Sequence, residues 1–222
     1  MRLTIAIDGP VGAGKSTVAA ALARELGILH LDTGAMYRAL ALKALRCGVD
    51  PMDEVRAQEL CEQTDISVAL GAQGQRTLLD GEDVTGLIRT GEVSAASSAI
   101  STIAAVRAHM VRLQQACAAK ADMVLDGRDI GTRVLVDATF KFYLTASPEV
   151  RAHRRMQEML DRGEPAQYAE VLRALNERDR QDMSRAVDPL RCAEDAVVVD
   201  TSGMTLRQTV EAMLDVIRGK KA

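Results

Sequence analysis

The apolar positions change period along the chain, and the changes outline an α/β protein. Residues 3–7, Leu-Thr-Ile-Ala-Ile, form a short apolar run of the kind that buried strands show. Glycine-rich residues 9–14 follow. Val18, Leu22 and Leu26 then recur every fourth position over a helix from about Lys15 to Leu26, which Gly27 ends. Residues 28–31 read as a second strand, and a helix from about Ala35 to Arg46 is closed by Gly48 and Pro51. Strand, helix, strand, helix at this spacing predicts a parallel sheet with right-handed crossovers.

The pattern breaks after about residue 64. Ile66, Val68 and Leu70 alternate, Gly71 to Gly74 supply turn chemistry, and residues 77–81 (Thr-Leu-Leu-Asp-Gly) read as a returning strand. Residues of about 60–100 are therefore expected to form an inserted subdomain within one unit, with a core of about 1–59 and 101–222. A helix from about Ala104 to Ala119 returns to the sheet. Met123-Val124-Leu125 is an apolar strand ending in Asp126, and residues 139–144 form another. Pro148 opens a helix to about Leu160, Gly163-Glu164-Pro165 breaks it, and a further helix covers about Ala166 to Met183. Residues 196–199 are the last strand. The final helix, about Leu206 to Ile217, puts Leu206, Val210, Met213, Leu214 and Ile217 on one face.

Composition narrows the function classes. The 222 residues are 47% hydrophobic and 27% charged, enough for a real core in a soluble protein. Trp is absent, with three Tyr and two Phe, so no aromatic platform for single-stranded nucleic acid is expected. A net charge of −3 offers no overall basic field for a polyanion. The first residues lack a signal-peptide pattern, and no stretch approaches a membrane span of about 20 apolar residues. Cys47, Cys61, Cys117 and Cys192 have no metal-ligand spacing and read as reduced thiols. A cytoplasmic monomer without nucleic-acid or membrane partners is the expectation.

Gly9-Pro10-Val11-Gly12-Ala13-Gly14-Lys15-Ser16, with Thr17 after it, fits G-x-x-x-x-G-K-[ST], and it lies between a buried strand and an amphipathic helix as that motif requires. Glycines let backbone N–H groups approach phosphate oxygens, and the helix N-terminus adds partial positive charge. Lys15 suits the β- and γ-phosphates, and the Ser16 hydroxyl suits Mg²⁺. Asp126, at a strand end, is the candidate second metal-site residue; a turn residue before Gly127 reads equally well. The motif alone leaves the phosphate acceptor open.

Arginines stand where a doubly wound sheet binds ligands. Arg38 follows the second strand, and Arg128 follows the strand ending in Asp126. A guanidinium fork suits a phosphate dianion, although most arginines are surface charges. Arg178, Asp182 and Arg185 continue the apolar stripe Val171, Leu172, Leu175, so this helix borders a polar pocket or carries an exposed i,i+4 pair. Arg151, His153, Arg154, Arg155 and Arg162 flank the break at Gly163. A mobile segment there could close over a triphosphate, but for Arg151 and His153 a solvated helix face is the expectation.

These residues, with Asp32-Thr33-Gly34-Ala35-Met36-Tyr37-Arg38, Gly81-Glu82-Asp83-Val84, Ile88-Arg89, Val106-Arg107, Asp126-Gly127-Arg128-Asp129-Ile130-Gly131, Ala152-His153-Arg154-Arg155 and Arg178-Asp179…Asp182…Ser184-Arg185, strongly resemble the bacterial cytidylate kinase family along nearly the whole chain. The resemblance implies a P-loop kinase fold with a nucleoside-monophosphate-binding insertion and a lid near 154–166. It implies Mg²⁺- and ATP-dependent phosphorylation of CMP and dCMP. Arg38 and Arg128 would hold the CMP phosphate, while Thr33, Ser98, Arg107, Asp129 and Arg185 would line the cytosine. Arg178 and Asp182 would reach the sugar, and Arg154 and Arg155 would serve the lid. Thr33 stands where other members have Ser, and Ser16 where some have Gly. Rival readings are a kinase for UMP, AMP or a shikimate-like acceptor, and a regulatory P-loop NTPase. A GTPase would need an N-K-x-D motif, which is absent.

Overall fold

A computed structural model describes residues 2–71 and 74–219. The chain begins with β1 (Thr4–Asp8), α1 (Lys15–Leu26), β2 (Leu29–Asp32) and α2 (Thr33–Arg46). Next come α3 (Glu54–Gln63), the strands β3 (Ile66–Gly71), β4 (Gly74–Leu79) and β5 (Glu82–Asp83), and α4 (Gly91–Ile100). The remainder runs α5 (Ala104–Ala118), β6 (Met123–Asp126), a π-helical turn at Ile130–Val134, β7 (Phe140–Thr145), α6 (Pro148–Asp161), α7 (Tyr168–Ser184), β8 (Val197–Asp200) and α8 (Leu206–Gly219). Residues 72 and 73, part of the expected turn, lie outside the described residues.

The main sheet has the order β2-β6-β1-β7-β8, and every pair in it is parallel. The expected parallel α/β architecture is therefore present, with the loop-bearing strand at its centre. The register pairs Ile7 and Asp32 with Asp126, and Asp8 with Tyr143, so three aspartates gather at the carboxyl ends. Chemistry in such a sheet belongs at that edge.

The central strands β1, β6 and β7 are buried on both faces, while β8 at the edge keeps Val198 exposed. One apolar cluster joins Leu31, Met36, Leu40, Ile100, Met110 and Leu125; the other joins Ile5, Ile7, Val18, Leu22, Phe142, Met213 and Ile217 under α1 and α8. The second strand pattern is also borne out as a hairpin, with Ile66 opposite Leu79 and Gly71 opposite Gly74. Its buried Leu79, and Val84 and Ile88 beyond it, belong to the first cluster with the main-sheet residues.

Local chemistry sets the helix limits. Asp32 caps α2 by accepting the Ala35 N–H at 3.0 Å, which starts that helix at Thr33, two residues before the expected position. Ser147 caps α6 with Pro148 in its first turn. Gly27, at φ 65, ends α1 where expected. Two helices, α3 and α4, were not anticipated. Only Ala57 and Cys61 of α3 are buried, so its apolar stripe is faint. Both helices rely on side-chain caps, Asp53 taking Arg56 N–H and Thr90 taking Val93 N–H.

Candidate active site

The loop between β1 and α1 lies against β7. At Gly9, with φ 147, an added Cβ would stand 2.0 Å from the Leu144 carbonyl oxygen, so only glycine fits. Gly14 takes φ 84 as the residue before α1 and starts the helix beneath the loop. Lys15 is buried, and its ammonium donates to the Pro10 carbonyl at 2.7 Å. Burial, then the nearby Arg128 charge, pushes Lys15 down to about 7.

Beside the loop, the Ser16 hydroxyl donates to Asp126 Oδ2 at 2.7 Å. Asp126 Oδ1 lies 2.6 Å from His30 Nε2. Burial disfavours the charged imidazole, yet the Asp126 bond outweighs it and the His30 pKa rises. On the neighbouring strand end, Arg38 Nη2 donates to Asp32 Oδ2 at 2.7 Å. Burial pushes the Asp32 carboxyl up, but Arg38 and His30 outweigh it and hold it low.

The turn after β6 is tightly constrained. A Cβ on Gly127 would lie 2.7 Å from both Ile130 Cδ1 and Thr33 Oγ1. Thr33 Oγ1 donates to the Asp126 carbonyl at 2.7 Å. Beyond Gly127, Arg128 Nε donates to Asp182 Oδ2 at 2.7 Å, and Arg107 is bonded to Asp129. Asp8 fixes the π-helical turn, its two oxygens accepting the Ile130 and Gly131 N–H groups at 2.8 Å each. Burial raises Asp8 to about 6 in spite of those bonds.

The loop, Asp32, Thr33, Arg38, Arg107, Asp126, Arg128 and Asp129 line one cavity of about 830 Å³, while Asp8 and His30 are not on its wall. Val11, Gly12 and Gly14 to Thr17 line its loop end; Thr33, Arg38, Arg107, Arg128 and Asp129 line its wall; Arg178, Asp182 and Arg185 face it from α7. Arg155 and Arg162 border it near the α6–α7 connection. The Nε atoms of Arg38, Arg178 and Arg185 are buried without a hydrogen-bond partner. Burial and the Arg128 charge lower Arg178 to about 10. An unmet buried donor costs about 1–3 kcal/mol, so this wall is built for a ligand rich in hydrogen-bond acceptors.

Some expectations need correction. Asp182 pairs with Arg128, so the charged end of α7 borders the cavity and carries no exposed Arg178–Asp182 pair. The Ser98 hydroxyl donates to Gln181 at 2.8 Å, while Ser97 and Ser101 of the same region line the cavity. Arg154 donates to Thr201 Oγ1 at 2.9 Å and Thr201 O at 2.6 Å, away from the cavity wall that Arg155 joins. Gly9, Pro10 and Ala13 belong to the same loop but do not line the cavity. Arg151 is no solvated residue: it is 4% exposed and donates to Val11 O at 2.9 Å and to Asp179 Oδ2 at 2.6 Å. His153 is exposed, stacked on Tyr168 with ring centroids 4.5 Å apart. Sequence reasoning also passed over Asp8 and His30, whose roles come only from cross-strand register.

Among the described residues no group of three or more His, Cys, Asp and Glu side chains could hold a metal. Ser16 and Asp126 still suit Mg²⁺, which keeps several waters and takes most remaining ligands from phosphates.

Comparisons agree with this geometry. The fold is that of P-loop kinases. It is similar to a shikimate kinase from Acinetobacter baumannii in complex with shikimate, with a TM-score of 0.52 at 19% identity over 100% of this chain and 96% of that one. The cytidylate kinase of Desulforamulus reducens is 50% identical over 210 residues, 95% of this chain and 94% of that protein. The cytidylate kinase of Caldicellulosiruptor saccharolyticus is 44% identical over 214 residues, 96% of this chain and 95% of its own. The cytidylate kinase family model matches residues 5–219, and the chain belongs to that family.

Proposed function

We propose that the protein transfers the γ-phosphoryl group of ATP to CMP and dCMP, giving CDP and dCDP. The observation that carries this reading is the phosphate loop sharing one cavity with three arginines whose buried Nε donors lack partners. Family membership supplies the acceptor's identity. The acceptor phosphate is already largely ionised near neutral pH, so no general base is required. Catalysis then consists of positioning and charge neutralisation for an in-line transfer.

The family resemblance assigns the roles, and the chemistry of the residues suits them. The loop amides and Lys15 hold the triphosphate. Ser16 and Asp126 would hold Mg²⁺, which would supply charge neutralisation to the triphosphate. Arg38 and Arg128 take the CMP phosphate, and Arg178 and Asp182 take the sugar hydroxyls. Asp129 accepts from the cytosine amine, while Arg107 or Arg185 donates to N3 or O2; Thr33, Ser97 and Ser101 supply hydroxyls. Asp129 is also held by Arg107, and uracil would set its O4, an acceptor, against that carboxylate where cytosine offers a donor, at a cost of about 1–3 kcal/mol. Residues of about 60–100 form the acceptor-side insertion, and residues near 154–166 form a lid in which Arg155 is the closing cation. The enzyme is read as a cytoplasmic monomer acting on small molecules; no helix among the described residues is long and apolar enough to cross a membrane.

The test is a panel of CMP, dCMP, UMP, AMP and shikimate with ATP, scored by ADP release. CMP and dCMP are expected to be the best acceptors. CMP running slower than UMP or AMP overturns the specificity, and steady hydrolysis unaffected by CMP favours a regulatory NTPase.

A further inference from the structure

The buried pair Arg151–Asp179 has no part in the roles above. Arg151 lies in the first turn of α6, and its guanidinium serves three acceptors: Nε donates to Ala146 O at 3.0 Å, and Nη1 donates to Val11 O and Asp179 Oδ2. Val11 is on the cavity wall, at the tip of the phosphate loop. The loop also rests on Arg151 sterically, since a Cβ on Gly12 would come 3.2 Å from the Arg151 Cβ. Asp179 is on α7, in sequence between Arg178 and Asp182, and its Oδ1 is buried without a partner. Val11 packs into the small apolar cluster that Ala152, Val171 and Leu175 form between α6 and α7.

Two physical consequences follow. A loop that cradles phosphate must turn its amides inward and keep its carbonyls from doing the same. A fixed guanidinium on the Val11 carbonyl holds that oxygen in place. In addition, α7 presents Arg178, Asp182 and Arg185 to the acceptor end of the cavity while Asp179 grips Arg151. A ligand that draws the α7 arginines inward acts on the same rigid helix that holds the loop tip.

We infer that Arg151 and Asp179 form a positioning pair that couples the two halves of the cavity, so that an acceptor nucleotide raises the affinity of the phosphate loop for the donor. This rests on the donor–acceptor reading of the cavity. Linkage makes the effect reciprocal, with a typical size of about fivefold or more.

The experiment measures binding of a non-hydrolysable ATP analogue by calorimetry, with and without saturating CMP, in the wild type, Asp179→Asn and Arg151→Lys. In the wild type, CMP is expected to tighten analogue binding at least about fivefold. In Asp179→Asn that ratio should fall to within twofold of one, while CMP binding alone changes less than about threefold. Arg151→Lys, with a point charge in place of the three-way fork, should lose the ratio too. A folded Asp179→Asn that keeps the wild-type ratio overturns the inference. Should neither variant fold, amide exchange in the wild type decides: residues 9–14 gain protection on CMP binding, and unchanged exchange overturns it. A wild type that cannot phosphorylate CMP sinks the functional reading; one that does so without CMP-dependent analogue affinity sinks the coupling alone.

Discussion

Asp8 illustrates how far a single side chain departs from its ordinary chemistry. Burial lifts it from 3.8 to about 6, although two backbone amides oppose the rise. Between those values the folded protein keeps a proton that the unfolded chain has lost. Its contribution to stability is fully present below 3.8 and is lost as pH rises through about 6. Asp8→Asn should therefore gain on the wild type by about 1 kcal/mol between pH 5 and pH 8, read from thermal melts. A difference that is flat with pH removes burial as the cause. Arg178 poses the opposite problem, a half-buried cation beside Arg128. Arg178→Met should raise the melting temperature while raising the KM for CMP roughly tenfold, a trade of stability for function. A lower melting temperature would mean the guanidinium is structurally satisfied. Asp129→Ala should lower the CMP-over-UMP ratio of kcat/KM by roughly tenfold. An unchanged ratio would remove its base-reading role.

At the scale of elements, the phosphate loop and the strand-end turns carry the site. Lys15→Ala should cut kcat by a factor on the order of 10³, since the loop's one buried cation is lost. Near-normal turnover would move the catalytic burden elsewhere. This loop was legible because a motif, a buried strand and a periodic helix coincide there. The helix α1 runs from Lys15 to Leu26 as its apolar spacing and Gly27 require. The helix α4 was not legible: Gly-Glu-Val-Ser-Ala-Ala-Ser-Ser-Ala-Ile has small polar residues where a stripe would need contrast. Arg151 was misread because a charged run resembles a solvated face, and only contacts with Val11 and Asp179, distant in sequence, bury it. Arg154 and Arg155 could not be separated by composition. Successive helical residues point about 100° apart, and that rotation puts one on Thr201 and the other on the cavity.

For the whole molecule, the first apolar cluster matters most. It runs from the main sheet through α2 and α4 into the β3–β4 hairpin, where Leu79 is 2% exposed. Leu79→Ala should destabilise the entire chain by about 2–5 kcal/mol, with circular dichroism and calorimetry giving one coincident transition. A separate early melt of the β3–β4 hairpin region would show that it folds on its own. The sheet order has a further consequence. The first strand, residues 4–8, is flanked by strands from residues 123–126 and 140–145. During vectorial synthesis the phosphate loop leaves the ribosome early, but both of its walls are made more than a hundred residues later. Until then the glycine-rich segment has no neighbours to shape it, and the nascent chain cannot capture nucleotide. Substrate can therefore stabilise this protein only late in its birth, after the long-range strand pairings have formed.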